Sequence, residues 1–419
     1  MVKRVLMFAF HFPPQRGSSG LQRTLQFARQ LPASGWQPQV LTAHPRAHQE
    51  TAADQLGQIP HDLPVIRAFA LDTARHLSFK GRYAGAMALP DRWVSWWLGA
   101  LPAGLRMVRR ARPAVLWSTY PIATAHLIGL ALQRLTGLPW VADMRDPMID
   151  DEYPRGRWPR RVAAWIEART VERCSRLVCT TPGALQAYRT RFPEVPAERF
   201  VLIENGYDEE NFVEADNMRT APRVPGAPLV LLHSGIIYPS ERDPRALFAA
   251  LATLREQGLV NASTLRLVLR APVHEDLLRS LAAQHGLGDM VQVAPHLPYR
   301  EALAEMLAAD GLLVLQAANC NHQIPAKLYE YFRAGRPILA LTDAGGDTAA
   351  AMRAAGLDTI GPLDNESGIA QALSGFLARV RSDQAPVPTA ATIAAHSRAA
   401  RAVQLAQLLD AVASEAGTG

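Results

Sequence analysis

The sequence predicts an α/β chain: two doubly wound, parallel-sheet domains followed by a C-terminal helix. Three observations carry that prediction. Short β-rich apolar runs alternate with longer helical stretches, the pattern of βαβ units. The alternation stops in a polar, Pro-rich segment at residues 214–228, where Pro222, Pro225 and Pro228 bracket Gly226, and then restarts. The length, 419 residues, exceeds what one core organises, since domains run to roughly 100–200 residues.

Val5–Phe10 reads as the first strand. Its charged, apolar start is like that of a signal peptide, but the run halts at His11, Pro13 and Pro14 follow, and no small-residue cleavage site appears. A Gly/Ser loop and a helix over Leu21–Leu31 come next, then strand Gln39–Thr42. Further strands are expected at Val115–Ser118, Trp140–Asp143, Leu177–Thr180 and Phe200–Ile203, with helices such as Ala123–Leu135 and Arg160–Arg173 between them. These make a first domain over residues 1–213. After the 214–228 linker, a second domain over 229–391 repeats the pattern. Its strands are expected at Leu229–His233, Leu265–Leu269, Met290–Ala294, Gly311–Gln316 and Pro337–Leu341. Its helices fall at Arg245–Gln257, Glu275–His285, Arg300–Ala308 and Ala326–Ala334. Apolar spacing at i, i+3 and i+4 from Thr392 to Val412 predicts a terminal helix in the 392–419 tail. The longest uncharged stretch, Pro113–Gln133, holds Ser118, Thr119, Pro121 and His126. It reads as strand, turn and buried helix, not as a membrane span.

Composition narrows the function classes. The apolar fraction of 48% excludes a largely disordered chain. Three cysteines, Cys174, Cys179 and Cys320, make no disulfide framework and have no CxxC spacing, which points to a reducing compartment. His274, His285 and His296 are scattered, so no metal site is expected. The net charge of +6 divides unevenly: residues 1–215 carry +8 and residues 216–419 carry −2. No nucleic-acid motif is present, and basic residues are not interleaved with stacking aromatics, so nucleic acid is disfavoured. Trp93, Trp96 and Trp97 precede Arg106, Arg109, Arg110 and Arg112. Peripheral contact with an anionic membrane explains that segment, and so do buried tryptophans on a helix with a solvated basic end.

Open parallel sheets take ligands at the carboxyl ends of their strands, and the candidate motifs follow strands. After the first strand, Gly17 and Gly20 precede a helix whose N-terminal amides suit an anion, although the spacing is not GxGxxG. Asp143-Met144-Arg145-Asp146 puts two carboxylates and a guanidinium at a strand end, fit for acid–base work or for a salt-bridged turn. Gly235 ends a strand and permits close approach, and Arg242 could clamp a phosphate. Pro325-Ala326-Lys327-Leu328-Tyr329-Glu330 starts a helix with a cation, which opposes the macrodipole unless an anion binds there too. A diphosphate on Lys327 and a ribose hydroxyl on Glu330 would satisfy that arrangement; an i, i+3 ion pair is the plainer reading. His126, in an apolar helix, reads as a core histidine.

Taken in order, these motifs resemble the retaining glycosyltransferases of family 4, which have the GT-B fold, and look closest to bacterial members that build exopolysaccharide or lipopolysaccharide. The resemblance rests on Phe12-Pro13-Pro14…Gly17…Gly20…Arg23, Gly137 to Pro147, Glu204-Asn205-Gly206-Tyr207-Asp208, Gly235…Arg242-Asp243-Pro244 and Ile324 to Ala340. It implies a nucleotide-sugar donor on the second domain, an acceptor on the first and a ligand cleft between them. By this resemblance Glu330 matches the ribose-binding glutamate, Arg242 and Lys327 the diphosphate cations, and Gly17 and Gly20 the loop over the phosphate and sugar. Pro295–Pro298, with His296, matches the loop that reads the base, and Gly235 and Leu328 belong to the same donor set. The resemblance further implies retention at the anomeric carbon, no cofactor beyond the donor and no bound metal. The acceptor would be a glycan or a polyprenyl-linked glycan, and the location the cytoplasm, at the inner face of the membrane. Two departures stand out: Arg145 occupies the place of a family His, and His322 that of a second family Glu. Asp143, Arg145 and Asp146 are therefore the expected catalytic group near the acceptor. A sugar-nucleotide 2-epimerase on the same scaffold and an inactive scaffold subunit are the alternatives.

Overall fold

The computed structural model describes residues 3–16, 19–150, 153–218 and 226–417. Thirteen strands form two wholly parallel sheets. The first holds β1 (Lys3–Phe8), β2 (Trp36–Ala43), β3 (Val65–Ala68), β4 (Val115–Thr119), β5 (Trp140–Arg145), β6 (Arg176–Cys179) and β7 (Phe200–Leu202), in the order β3-β2-β1-β4-β5-β6-β7. The second holds β8 (Leu229–Ser234), β9 (Leu265–Arg270), β10 (Val291–Ala294), β11 (Gly311–Gln316), β12 (Ile338–Thr342) and β13 (Ile360–Gly361), in the order β10-β9-β8-β11-β12-β13. Helices link successive strands, so the predicted α/β class and its two Rossmann-like sheets are both present.

The strands form where the sequence is apolar without alternation, because a parallel sheet is covered on both faces. β4, β5, β11 and β12 are buried at every position. Every expected strand is found, shifted by no more than two residues at either end except β2, which starts three residues before the expected Gln39. The short edge strands β3 and β13 were not expected, since four and two residues carry too little pattern. Trp96 opens the Trp96–Ala111 helix and is fully buried, while Trp93 and Trp97 pack partly buried against the core. No helix among the described residues is long and apolar enough to cross a membrane.

The chain divides into two compact units, Met1–Asn205 with Arg398–Gly419, and Gly206–Ser397. The expected boundary at residue 213 therefore falls inside a helix, Glu209–Asn217. That helix belongs to the second unit because Phe212 is buried in its core and Glu209 takes Arg333 through two hydrogen bonds of 2.6 and 2.7 Å. The expected linker is thus helical up to Asn217, and residues 219–225 lie outside the described residues. The tail is likewise not one helix. Thr389 caps a short Ala390–Ala395 helix in the second unit, and the chain breaks at His396 before the long Arg398–Gly417 helix. That last helix packs on the first unit. Leu405, Leu409 and Val412 are buried there, and Asp410 takes Trp36 Nε1 at 2.9 Å and Lys3 Nζ at 2.7 Å. Each such buried leucine contributes on the order of 1.5–3 kcal/mol.

Candidate functional site

Strand order reverses beside β1 in the first unit and beside β8 in the second. Connections on either side of such a point leave to opposite faces, so the strand ends open into a crevice that takes ligands. The candidate residues gather at those two reversals.

In the second unit, the chain turns after β8 at Gly235, whose φ is +110°, a conformation open to glycine and strained for other residues. A Cβ there would also lie 3.1 Å from Lys327 Nζ. Lys327 opens the Lys327–Ala334 helix, and its Nζ sits 3.1 Å from His233 Nε2. His233 is fully buried at the end of β8, with Nδ1 2.9 Å from the Leu313 carbonyl oxygen of β11. A proton on Nδ1 donates to that carbonyl, which leaves Nε2 to accept from the ammonium. Burial, reinforced by Lys327, pushes the His233 pKa well below the ordinary histidine value, so the ring is neutral. Burial and then the Arg242 charge lower the Lys327 pKa to about 7, with Glu330 acting in the opposite direction.

Arg242 lies in the loop after β8. Its Nη1 donates to the Ile236 carbonyl at 3.0 Å, its guanidinium lies 5.7 Å over the Tyr238 ring, and Glu241 Oε2 is 3.9 Å from Nη2. Two cations thus face one strand end, and the hydrogen bond of one of them goes to a neutral imidazole. Added negative charge of phosphate size would stabilise both. One turn along the helix, Glu330 Oε1 accepts the Tyr299 hydroxyl at 2.7 Å. Tyr299 directly follows the Pro295–Pro298 loop, so the structure brings that loop to Glu330; His296 is exposed within it. Leu328 departs from expectation. Its side chain is fully buried and its N–H donates to the Pro325 carbonyl at 2.8 Å. A residue next to Lys327 points about 100° around the helix, into the core, so Leu328 seats the helix and does not face a ligand.

In the first unit, Asp143 near the end of β5 is fully buried. Its carboxylate takes Arg23 Nε at 3.0 Å, Arg23 Nη2 at 2.9 Å and the Thr119 hydroxyl at 2.9 Å. Arg23 also donates to the carbonyls of Ile203 and Glu204, both at 2.9 Å. Asp143 was expected beside the acceptor; it is a positioning group that ties the Ser19–Gln30 helix to β4, β5 and the end of β7. Two residues on comes Arg145, which regular alternation would put on the same strand face. The β5–β6 register shifts between Asp143 and Arg145, and Arg145 has φ +61°. This bulge re-aims its side chain, whose Nη1 donates to the Tyr120 carbonyl at 3.3 Å. A Cβ on Gly20 would lie 2.5 Å from Arg145 Nη1 and 3.3 Å from His11 Nδ1. Gly20 therefore serves by lacking a side chain, and the guanidinium occupies the space. Burial raises the Asp146 pKa against the pull of Arg145. Burial, then Arg145 and His48, lowers that of His11 to about 4. Gly17 lies outside the described residues. His126 is a core histidine as expected: Nδ1 is 2.7 Å from Ser118 Oγ, which also accepts Trp140 Nε1 at 2.8 Å.

The two clusters contain residues that the motifs did not single out. His233 reaches Lys327 across 94 positions, Tyr299 reaches Glu330 across 31 and Thr119 reaches Asp143 across 24, while His11 enters beside Gly20; only the polar residue at a strand end hints at His233 and His11. Among the described residues, no group of three His, Cys, Asp or Glu side chains could hold a metal ion.

Two Rossmann-like units with crevices of this kind define a GT-B-type, glycosyltransferase-like fold. Residues 20–206 match the family described as Glycosyl transferase 4-like domain. No curated protein matches the chain by sequence. Among solved structures it is similar to sucrose-phosphate synthase of Thermosynechococcus elongatus, with 15% identity, TM-score 0.63 and coverage of 99% of this chain and 98% of that one. Anabaena HepE in complex with UDP-glucose aligns at 15% identity and TM-score 0.61, covering 98% and 99%. A UDP-N-acetylglucosamine 2-epimerase aligns at 12% identity and TM-score 0.51, covering 94% and 91%.

Proposed function

We propose that the chain is a retaining glycosyltransferase that moves a sugar from a nucleotide-sugar donor onto a glycan or lipid-linked acceptor, in the synthesis of bacterial surface polysaccharide. The donor's diphosphate binds Lys327 and Arg242 beside Gly235, its ribose Glu330, and its base the Pro295–Pro298 loop with His296. The observation that carries this reading is the Lys327–His233 contact: an ammonium with its pKa lowered to about 7, on a neutral ring and beside a second cation. In the donor complex the diphosphate supplies further negative charge to the two cations. As the sugar–phosphate bond breaks, charge grows on the leaving phosphate, and the same cations stabilise it without a bound metal. Gly17 and Gly20 form the loop over the donor's phosphate and sugar, Arg145 and Asp146 serve the acceptor side, and Asp143 holds that side in place through Arg23. The family match over residues 20–206 and the UDP-glucose complex of a similar fold support the donor class.

Isothermal titration with UDP and other nucleoside diphosphates tests the reading, with Lys327→Ala, Arg242→Ala and Glu330→Ala as controls. Saturable binding that each substitution weakens is expected; no nucleotide binding in the wild type would sink it. The similarity to a 2-epimerase keeps one other reaction in view. A 2-epimerase would turn over its sugar nucleotide with no acceptor present, and a transferase would not.

A further inference from the structure

The donor cluster is held by a residue that its motifs do not include. β9 lies between β8, which leads to Gly235, and β10, which leads into the Pro295–Pro298 loop. Arg270 ends β9, opposite Ser234 on one neighbour and Ala294 on the other, and is nearly buried. Its backbone carbonyl accepts the Gly235 N–H at 2.8 Å. Its side chain serves the other neighbour. Nη1 donates to the Pro295 carbonyl at 2.7 Å, and Nε and Nη2 donate to the Glu305 carboxylate at 2.8 and 2.6 Å. Glu305 stands on the Tyr299–Ala308 helix, whose first residue carries the hydroxyl bonded to Glu330. Arg270 therefore meets the phosphate turn through its backbone. Through its side chain it meets the base loop and the helix that follows that loop.

The local chemistry explains why an arginine stands here. β10 is an edge strand of four residues, and the Ala294 carbonyl at its end accepts the Ala271 N–H at 2.9 Å. The Pro295 carbonyl lies one residue further on, and the guanidinium supplies its donor. A planar guanidinium can hold a carboxylate with two N–H groups and a carbonyl with another; an ammonium, a point charge, does not keep that geometry. Hydrogen bonding to Glu305 raises the Arg270 pKa against the effect of burial, so the arginine stays charged. The backbone after Arg270 is constrained as well. Ala271 has φ +51° and Val273 φ +71°, conformations uncommon for residues with a Cβ and kept only where the surroundings fix them. Between them, the Pro272 carbonyl accepts the Ile237 N–H at 3.1 Å, in the loop that carries Arg242.

We infer that Arg270, with Glu305, is the positioning residue that sets base preference: it fixes the Pro295–Pro298 loop against Glu330, so that base and ribose are held at one spacing, and it touches neither. The inference rests on the proposed donor site and deepens it, by separating what holds the phosphates from what selects the nucleoside. The Gly235 bond uses a backbone carbonyl, which any residue at position 270 supplies. Only the loop depends on the guanidinium.

Isothermal titration of the full-length protein with UDP, ADP and GDP tests it, on the wild type and on Arg270→Met, Arg270→Lys and Glu305→Ala. The wild type should prefer one of the three by roughly tenfold or more. In Arg270→Met and Glu305→Ala the preferred nucleotide should lose roughly tenfold in affinity while the other two change little, so the preference collapses. Arg270→Lys should behave like Arg270→Met, because charge alone does not span Pro295 and Glu305. A ratio of affinities does not depend on the folded fraction, so lower stability alone would not mimic this result. A wild type without base preference, variants that keep it, or an equal loss of all three nucleotides would overturn the inference and leave the donor reading standing. Full restoration by lysine would overturn it too. A wild type that binds none of the three would sink the donor reading itself, and this inference with it.

Discussion

Both units place cations at the carboxyl ends of their sheets and treat them in opposite ways. At the end of β5, Arg23 meets Asp143 in a buried two-point ion pair at 2.9 and 3.0 Å, and every remaining arm of the cluster ends on a carbonyl or hydroxyl. At the end of β8, Lys327 meets a neutral His233, with Arg242 as its largest charged influence. The first arrangement is complete without a ligand and acts as a structural joint. The second sets its lysine on a neutral ring beside another cation, with Glu241 at 3.9 Å from Arg242 and Glu330 pulling weakly on Lys327, and further negative charge would stabilise it. Strand order alone does not separate a joint from a binding site; the charge balance at the strand end does.

The largest effect expected from that contrast is on stability. Asp143→Asn leaves the Arg23 guanidinium buried with its carboxylate gone, which costs about 3–5 kcal/mol. Urea unfolding should show the midpoint falling at unchanged slope, and a loss under 1 kcal/mol would mean the pair is not a joint. Lys327→Met should behave in the reverse sense. Removing a cation from beside Arg242 leaves stability unchanged or raises it. Nucleotide binding loses a charge-assisted hydrogen bond of about 1.5–3 kcal/mol, roughly tenfold to a hundredfold in affinity. A Lys327→Met protein that unfolds more readily would erase the distinction between the two ends.

The glycines sharpen the comparison at smaller cost. Gly235→Ala forces a side chain into φ +110° and toward Lys327, with a loss of about 1–3 kcal/mol and weaker nucleotide binding. Gly20→Ala meets the far end of the Arg145 side chain at 2.5 Å, which can swing away, and His11 Nδ1 at a tight 3.3 Å. Its stability loss should stay below about 1 kcal/mol, and transfer should fall. Equal losses of stability in the two variants, measured by thermal unfolding, would contradict these assignments.

Much of the fold was legible because parallel strands are long apolar runs, and Val115–Thr119 or Gly311–Gln316 can be nothing else. Boundaries set by tertiary contact were not. Nothing in Glu209–Asn217 announces that Phe212 is buried with the second unit, and nothing in the Ala-rich tail announces the break at His396. At the site, Lys327 stood out because a cation at a helix start is locally unfavourable, a conflict visible in sequence. Its partner His233 is 94 positions away, and Asp143 could be read as catalytic until Arg23, 120 positions away, was seen to satisfy it. Local conflict is written in the sequence, and its long-range resolution is not.

A pH dependence completes the comparison, and the two ends should show it with different midpoints. The Lys327 pKa is lowered from 10.5 to about 7 in the folded protein. Between about pH 7 and 10.5 the unfolded chain therefore binds the extra proton, and this residue's contribution to stability rises with pH across that window. A diphosphate favours the protonated ammonium, so nucleotide affinity should fall as pH rises through about 7. Saturating UDP should flatten the stability rise because it lifts the Lys327 pKa. His11 in the first unit, lowered to about 4, works at the other end of the scale. Its contribution is lost as pH falls from about 6.5 toward 4, where the unfolded chain takes the proton and the folded one does not. Unfolding measured from pH 4 to 10, with and without UDP, separates the two: UDP should alter the alkaline limb and leave the acid limb in place. In Lys327→Met the alkaline dependence of UDP affinity should vanish, and its persistence would assign the proton to another group.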